Sequence, residues 1–124
     1  MQLGQTHTQT ITVQEKDSAK NLGSGGLDVF GTPAMIALME NTALSMIKNS
    51  LPEGSDTVGI AIDAQHIKAS AIGANISCSA TITAIEGRKI SYDIIAKDSS
   101  GETIGTATHH RFIVDIAKFM SKVV

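Results

Sequence analysis

The sequence has no tryptophan, one tyrosine and three phenylalanines among its 124 residues, so aromatic side chains make up 3% of it. Any core must therefore be filled by Ile, Val, Leu, Met and Ala, and too few rings remain for a surface that stacks nucleic-acid bases. Positive charge is also scarce. Ten lysines and arginines stand against twelve aspartates and glutamates, a formal net charge of -2, and the basic residues are scattered. The electrostatic footprint of a nucleic-acid binder is missing, and no such partner is expected. The single cysteine, Cys78, cannot close an intramolecular disulfide. The opening residues, MQLGQTHTQT, have neither a basic start nor an apolar run. No stretch approaches the roughly 18 apolar residues of a membrane span. A soluble, cytoplasmic protein with no membrane partner is the expectation.

What is present is ordinary globular material: 42% hydrophobic and 18% charged residues. A chain of this length is expected to form one domain, residues 1–124, burying roughly two-thirds of the surface it exposes when unfolded. Residues 8–14 place Ile11 and Val13 two apart and predict a short strand. The segment 21–31, NLGSGGLDVFG, has four glycines and reads as a loop over a site. Thr32 as N-cap and Pro33 at the first helical position then predict a helix to about Ser50, ended by Pro52 and Gly54. Apolar residues lie nearly all round that helix, as expected of one buried on most sides.

From Thr57 the apolar period becomes two. Val58, Ile60, Ile62, Ala64 and His66 share one face of a long strand, and three more strands follow. Ile76, Cys78, Ala80, Ile82 and Ala84 alternate with polar residues, and Glu86-Gly87-Arg88 turns the chain into Ile90, Tyr92, Ile94 and Ala96. After a second turn at 98–101, the last strand carries Gly105, Ala107, His109, Arg111 and Ile113 on one face, with Thr106, Thr108 and His110 on the other. The plan is α+β, an antiparallel β-sheet wrapped around a central α-helix, whose remaining apolar surface calls for a second copy.

Three polar residues stand where such a plan expects apolar ones. Glu40 is the only charged residue between Asp28 and Lys48, with Ile36, Ala43, Leu44 and Ile47 beside it on the helix. A carboxylate there must be hydrogen-bonded, paired, or lining a polar cavity, and a purely structural role is the alternative. His66 falls on the strand face expected to meet that helix, so the two could come together; a satisfied core histidine is the plainer reading. Thr32 is explained by capping, yet a hydroxyl at a helix N-terminus also sits where a developing oxyanion would be stabilised. Hydroxyl, imidazole and carboxylate are the parts of a nucleophilic or general-base hydrolysis. Gly59, in mid-strand, suggests close approach of a ligand or backbone, or a bulge. Lys68, Arg88, Lys89 and Arg111 are candidate phosphate contacts or solvated surface. No metal-ligand spacing stands out, and no metal or cofactor is expected.

Taken together, TPAMIALMEN, TVGIAIDAQHIKASAIG, the Glu86-Gly87-Arg88 turn and THHRFIVD resemble the hotdog-fold acyl-CoA thioesterases of the fluoroacetyl-CoA thioesterase type. The resemblance spans nearly the whole chain and implies catalysis by Thr32, Glu40 and His66, with Gly59 near the thioester carbonyl. It further implies an acyl-CoA substrate and a homodimer with two sites at the subunit interface, leaving open a homotetramer. Lys68 and Arg111 become the expected contacts to the CoA phosphates near the surface. Family members specialised for fluoroacetyl groups guard the site with aromatic residues ahead of the helix. This chain has only Phe30 in its glycine-rich segment, so a short or medium acyl group is expected. Two other readings stand beside the thioesterase: a hydratase or dehydratase of acyl thioesters with the same fold, which needs no Thr32, and a non-catalytic acyl-CoA-binding module.

Overall fold

Small apolar residues at every second position build the middle of the sheet. In β3 (Asn75–Glu86) the inward residues are Ile76, Cys78, Ala80 and Ile82, and in β4 (Lys89–Asp98) they are Ile90, Tyr92, Ile94 and Ala96. Between them Gly87 adopts φ 62° at the first loop position while Arg88 stays at negative φ, the requirement of a type II′ turn. β5 (Thr103–Asp115) pairs with β4, β2 (Ser55–His66) with β5, and β1 (Thr6–Thr12) with β3. The computed structural model, which describes residues 1–124, thus holds one antiparallel sheet in the order β1-β3-β4-β5-β2. Its inner face packs on α2 (Thr32–Ile47) through Met35, Leu38, Met39, Ala43 and Ile47. The expected α+β architecture is the one observed.

Gly105 shows how closely helix and sheet approach. A Cβ added there would strike the Met35 side chain and come within 3.0 Å of the Gln65 carbonyl oxygen. Only glycine lets Met35, fully buried, lie against β5 directly beneath His66, whose register partner is Gly105.

Several sequence expectations are revised. The first strand runs two residues earlier than 8–14. Part of the expected loop is ordered: α1 (Ala19–Leu22) forms one turn, and Ser18↔Phe30 and Val29↔Ala71 make isolated bridges, so Phe30 enters the core. The sequence reading stopped at Asp115, but Asp115 caps a further helical segment, α3 (Ile116–Ser121), by accepting from the Lys118 amide at 3.0 Å. Nor is α2 covered all round, because Pro33, Ala37, Asn41 and Ser45, spaced four apart, are exposed.

The face of β2 also differs from simple alternation. Gly59 pairs with Arg111 and Ala61 with His110, which leaves Ile60 as the extra residue of a β-bulge. One inserted residue exchanges the two faces. Thr57 and Gly59 therefore point inward before the bulge and Ile62, Ala64 and His66 after it, while Ile60 is 52% exposed.

Candidate functional site

Two polar clusters lie between α2 and the sheet. The first forms where α2 begins and β2 ends. Gly31 is the N-cap, in extended backbone with no side chain to offer, and Thr32 is the first helical residue. The expectation that Thr32 caps the helix is thus corrected: at this position its hydroxyl is not bonded to the helix amides and instead lies 2.8 Å from His66 Nδ1. Pro33 has no amide hydrogen and the Met35 amide donates to Gly31 O at 3.0 Å. The Thr32 and Ala34 amides have no protein acceptor, so the helix N-terminus presents two donors beside the Thr32 hydroxyl.

His66 is half-buried, with the Phe30 ring edge-on at a centroid separation of 6.3 Å. Its Nε2 is buried without a hydrogen-bond partner. Burial pushes its pKa below the usual 6.5, with the Lys68 backbone acting in the opposite sense. The ring is therefore neutral at pH 7 and can exchange a proton with Thr32. The pair opens on a cleft of about 250 Å³ bordered also by Ser24, Val29 and Lys68.

The second cluster lies further along the same helix. Glu40 Oε2 approaches Arg111 Nη1 at 3.8 Å, and the carboxylate is 41% exposed. Arg111 itself is buried, donating from Nε to Thr57 Oγ1 at 2.9 Å and from Nη2 to Thr57 O at 3.0 Å. A Cβ on Gly59 would lie 2.8 Å from Glu40 Oε2, so glycine makes room for the carboxylate. Glu40 thus has the partner that its isolation in the sequence demanded.

The two clusters do not touch within one chain. Eight residues of helix separate Thr32 from Glu40, a rise of about 12 Å. Gly59, beside Glu40, and His66 are seven residues apart on β2, roughly 20 Å of strand. The expected meeting of Glu40 with His66 therefore does not occur in the single chain. Strand alternation had suggested it by putting both ends of β2 against the helix without saying where along the helix each end lies.

Lys68 borders the first cluster but is already engaged, pairing with Asp98 at 2.7 Å and with Glu102. These partners raise its pKa, and Lys68 and Ser100 hold the Asp98 carboxyl well below the usual range. A phosphate would have to compete with two carboxylates. Arg111 is corrected more strongly: expected near the surface, it is only 6% exposed and faces Glu40. Sequence reasoning passed over Thr57, whose only signal was its place at the change of period, and noted His109 with Arg111 only as a match to the closing His-x-Arg motif of the family the chain resembles, with no chemistry assigned to the histidine. No group of three His, Cys, Asp or Glu side chains is placed to hold a metal ion, and no helix is long and apolar enough to cross a membrane.

Burial lowers the pKa of His109 as well as His66. The unfolded chain takes up protons at the ordinary histidine value of 6.5 while the folded rings resist, so the folded state is fully favoured above that value. Stability is expected to fall as pH drops below 6.5, until the folded rings protonate too. Thermal melts between pH 8 and pH 5 check this; a melting temperature that does not fall, or a fall that persists in the His66→Gln, His109→Gln double variant, would assign the acid sensitivity elsewhere.

Proteins of known structure share this fold. A hot-dog-like protein from Thermanaerovibrio acidaminovorans superposes with a TM-score of 0.88 at 20% identity over 97% of this chain and 88% of its own, which shows the fold to be the hotdog fold. A point mutant of the fluoroacetyl-CoA-specific thioesterase FlK reaches a TM-score of 0.93 at 28% identity, covering 99% of this chain and 95% of that one. A FlK mutant in complex with fluoroacetate and CoA gives 0.91 at 27%, over 96% and 99%. In sequence, the fluoroacetyl-CoA thioesterase of Streptantibioticus cattleyicolor is 33% identical over 96 residues, 77% of this chain and 68% of its own length. The family described as fluoroacetyl-CoA-specific thioesterase matches residues 13–117, a span that includes Thr32, Glu40, Gly59, His66 and Arg111. By sequence family and by fold alike, the chain belongs to the fluoroacetyl-CoA-specific thioesterase family.

Proposed function

We propose that this protein hydrolyses the thioester of a short or medium acyl-CoA, in a homodimer whose two sites each take Thr32 and His66 from one chain and Glu40 from the other. The observation that carries the reading is the 2.8 Å contact between Thr32 Oγ1 and His66 Nδ1 at the open N-terminus of α2. A hydroxyl and a neutral imidazole share one proton there, next to the free Thr32 and Ala34 amides. The negative charge that develops on a thioester carbonyl oxygen needs donors of this kind. The thiolate, a far weaker base than an alkoxide, leaves readily once the carbonyl is attacked.

Hydrolysis also needs a base for water, and the carboxylate available is too far away in the same chain. Two features favour a second copy as its source. β2 is a twelve-residue strand at the edge of the sheet, an unpaired row of backbone groups that proteins normally cover. On the β2 side of α2 the half-open Glu40 lies against Gly59, whereas the exposed Asn41 turns toward β1, where it accepts from Gln9. Joining two copies across these surfaces brings the Glu40 of one to the Thr32 and His66 of the other. Glu40 then takes a proton from water as the water oxygen bonds to the carbonyl carbon; the C–S bond breaks, the leaving thiolate takes up the proton that Glu40 removed, and the free acid and CoA are released with the carboxylate regenerated. No cofactor takes part.

The relatives named for fluoroacetyl-CoA support the CoA ester as substrate class. Phe30 is buried against His66 with the glycine-rich stretch 23–26 exposed before it, which favours an unguarded site for ordinary acyl groups. The test is thiol release from acetyl- to palmitoyl-CoA and one phenylacyl-CoA, followed with a thiol-reactive dye. Turnover of the shorter esters is expected; no release from any ester overturns the proposal.

A further inference from the structure

His109 is 1% exposed and touches both the strand bulge and Arg111, yet the hydrolysis above gives it no step. Its Nδ1 lies 2.8 Å from the carbonyl oxygen of Ala61, the residue that follows the bulge. A carbonyl only accepts, so Nδ1 carries the proton. The neutral ring then has its lone pair on Nε2, which faces Arg111 Nη1 at 3.3 Å, a group that only donates. Both ends of the ring are thus assigned by their partners. Tyr92, its register partner on β4, stacks on it with centroids 5.9 Å apart and prevents the ring from turning.

Arg111 is held by three contacts: two to Thr57 on β2 and the third to His109. The Thr57 contacts use Nε and Nη2. Because the guanidinium is planar, those two bonds hold one edge of it, and the third, at Nη1, resists tilting of the plane about that edge at the nitrogen that faces Glu40 Oε2. We propose that His109 is a positioning residue which, braced by the Ala61 carbonyl, sets the plane of the Arg111 guanidinium and through it the orientation of the Glu40 carboxylate. The inference rests on Glu40 being the base of the proposed hydrolysis. It also gives the bulge at Ile60 a purpose, since the bulge turns Gly59 toward Glu40 and is followed at once by the carbonyl that His109 needs.

The charged and titratable groups around His109 agree. Glu40 faces it from α2, Tyr92 from β4, and Arg111 and His110 belong to β5, with His110 on the outer face bonded to Ser91. Burial, then Arg111, keep the ring neutral despite the opposing pull of the Ala61 carbonyl and of Glu40. Tyr92, its hydroxyl buried without a partner, is pushed up to about 12 and stays uncharged.

Two variants separate positioning from packing. In His109→Gln the amide oxygen can reach the place of Nε2 and accept from Arg111. In His109→Asn the shorter side chain keeps the Ala61 contact and loses Arg111. The expected result is a loss of kcat of tenfold or more in the Asn variant with KM changed less than threefold, and a Gln variant within threefold of wild type in both. Equal impairment of the two, or wild-type kcat in the Asn variant, would overturn it. Nitrogen-15 NMR of the wild-type imidazoles at pH 7.5 reads the same geometry without turnover: His109 protonated on Nδ1 supports the proposal, and protonation on Nε2 overturns it. Should wild type release thiol from no ester, the hydrolysis fails while the NMR result still decides the His109–Arg111 contact.

Discussion

Glu40→Ala and His66→Ala proteins, each with turnover lowered on the order of a hundredfold or more, are expected to restore activity when unfolded and refolded together. The reason is the separation of the two clusters along α2. If each site draws Thr32 and His66 from one chain and Glu40 from the other, a mixed dimer contains one doubly damaged site and one intact site. Random pairing of equal amounts makes half the dimers mixed, so about a quarter of all sites, and of the wild-type rate, should return. Two affinity tags isolate the mixed dimer, whose rate should be about half that of wild type. Absence of recovery in a mixed dimer proven by its tags would place Glu40 and His66 in the same site of one chain. A protein that sediments as a monomer while fully active would end the two-chain arrangement outright.

Thr32→Ala is expected to lower kcat on the order of a hundredfold to a thousandfold, the cost of losing a group aimed at developing charge. The melting temperature should change little. Because Gly31 and not Thr32 occupies the N-cap, no capping bond is lost, and what disappears is the 2.8 Å contact with His66, which lies at an exposed position where water replaces the hydroxyl. Thr32→Ser keeps the hydroxyl and should stay within about tenfold of wild type, a margin for the looser rotamer of serine against β-branched threonine. Had Thr32 been the cap, the alanine variant would lose stability and the activity loss would be ambiguous. Wild-type turnover in Thr32→Ala would leave the hydroxyl without a catalytic part and favour an acyl-thioester hydratase or dehydratase chemistry.

The alternating strands β3 as far as Ile82, β4 and β5, the turn at Gly87, the long helix and its lone carboxylate were all legible in the sequence, although a bulge after Ile82 puts Ile85 and not the expected Ala84 against the core. Period, turn residues and charge isolation are local properties, and a local pattern survives whatever the rest of the chain does. The same holds for the inward set Gly105, Ala107, His109 and Arg111, since a strand without a bulge between those positions keeps its parity. Where readings failed, the cause was contact between distant segments. The bulge at Ile60 follows from how β2 pairs with β5, and it exchanged the inner and outer faces of half a strand. Thr32 looked like a cap because Thr-Pro is a common start, but Gly31 took the cap once Ser18 bridged Phe30 and drew the chain inward. Arg111 looked like surface because arginine usually is, until Thr57, fifty-four residues away, supplied two acceptors that let it be buried.

By itself the sequence determined the long helix, the strands, most of their inward residues and the three side chains on which hydrolysis would rest, because each leaves a periodic or compositional trace along the chain. Tertiary structure decided which of those side chains meet. It joined Thr32 to His66 and Glu40 to Arg111, and it kept the two pairs apart by the length of two helical turns. Distances across a fold depend on register and packing, which no single stretch of sequence carries.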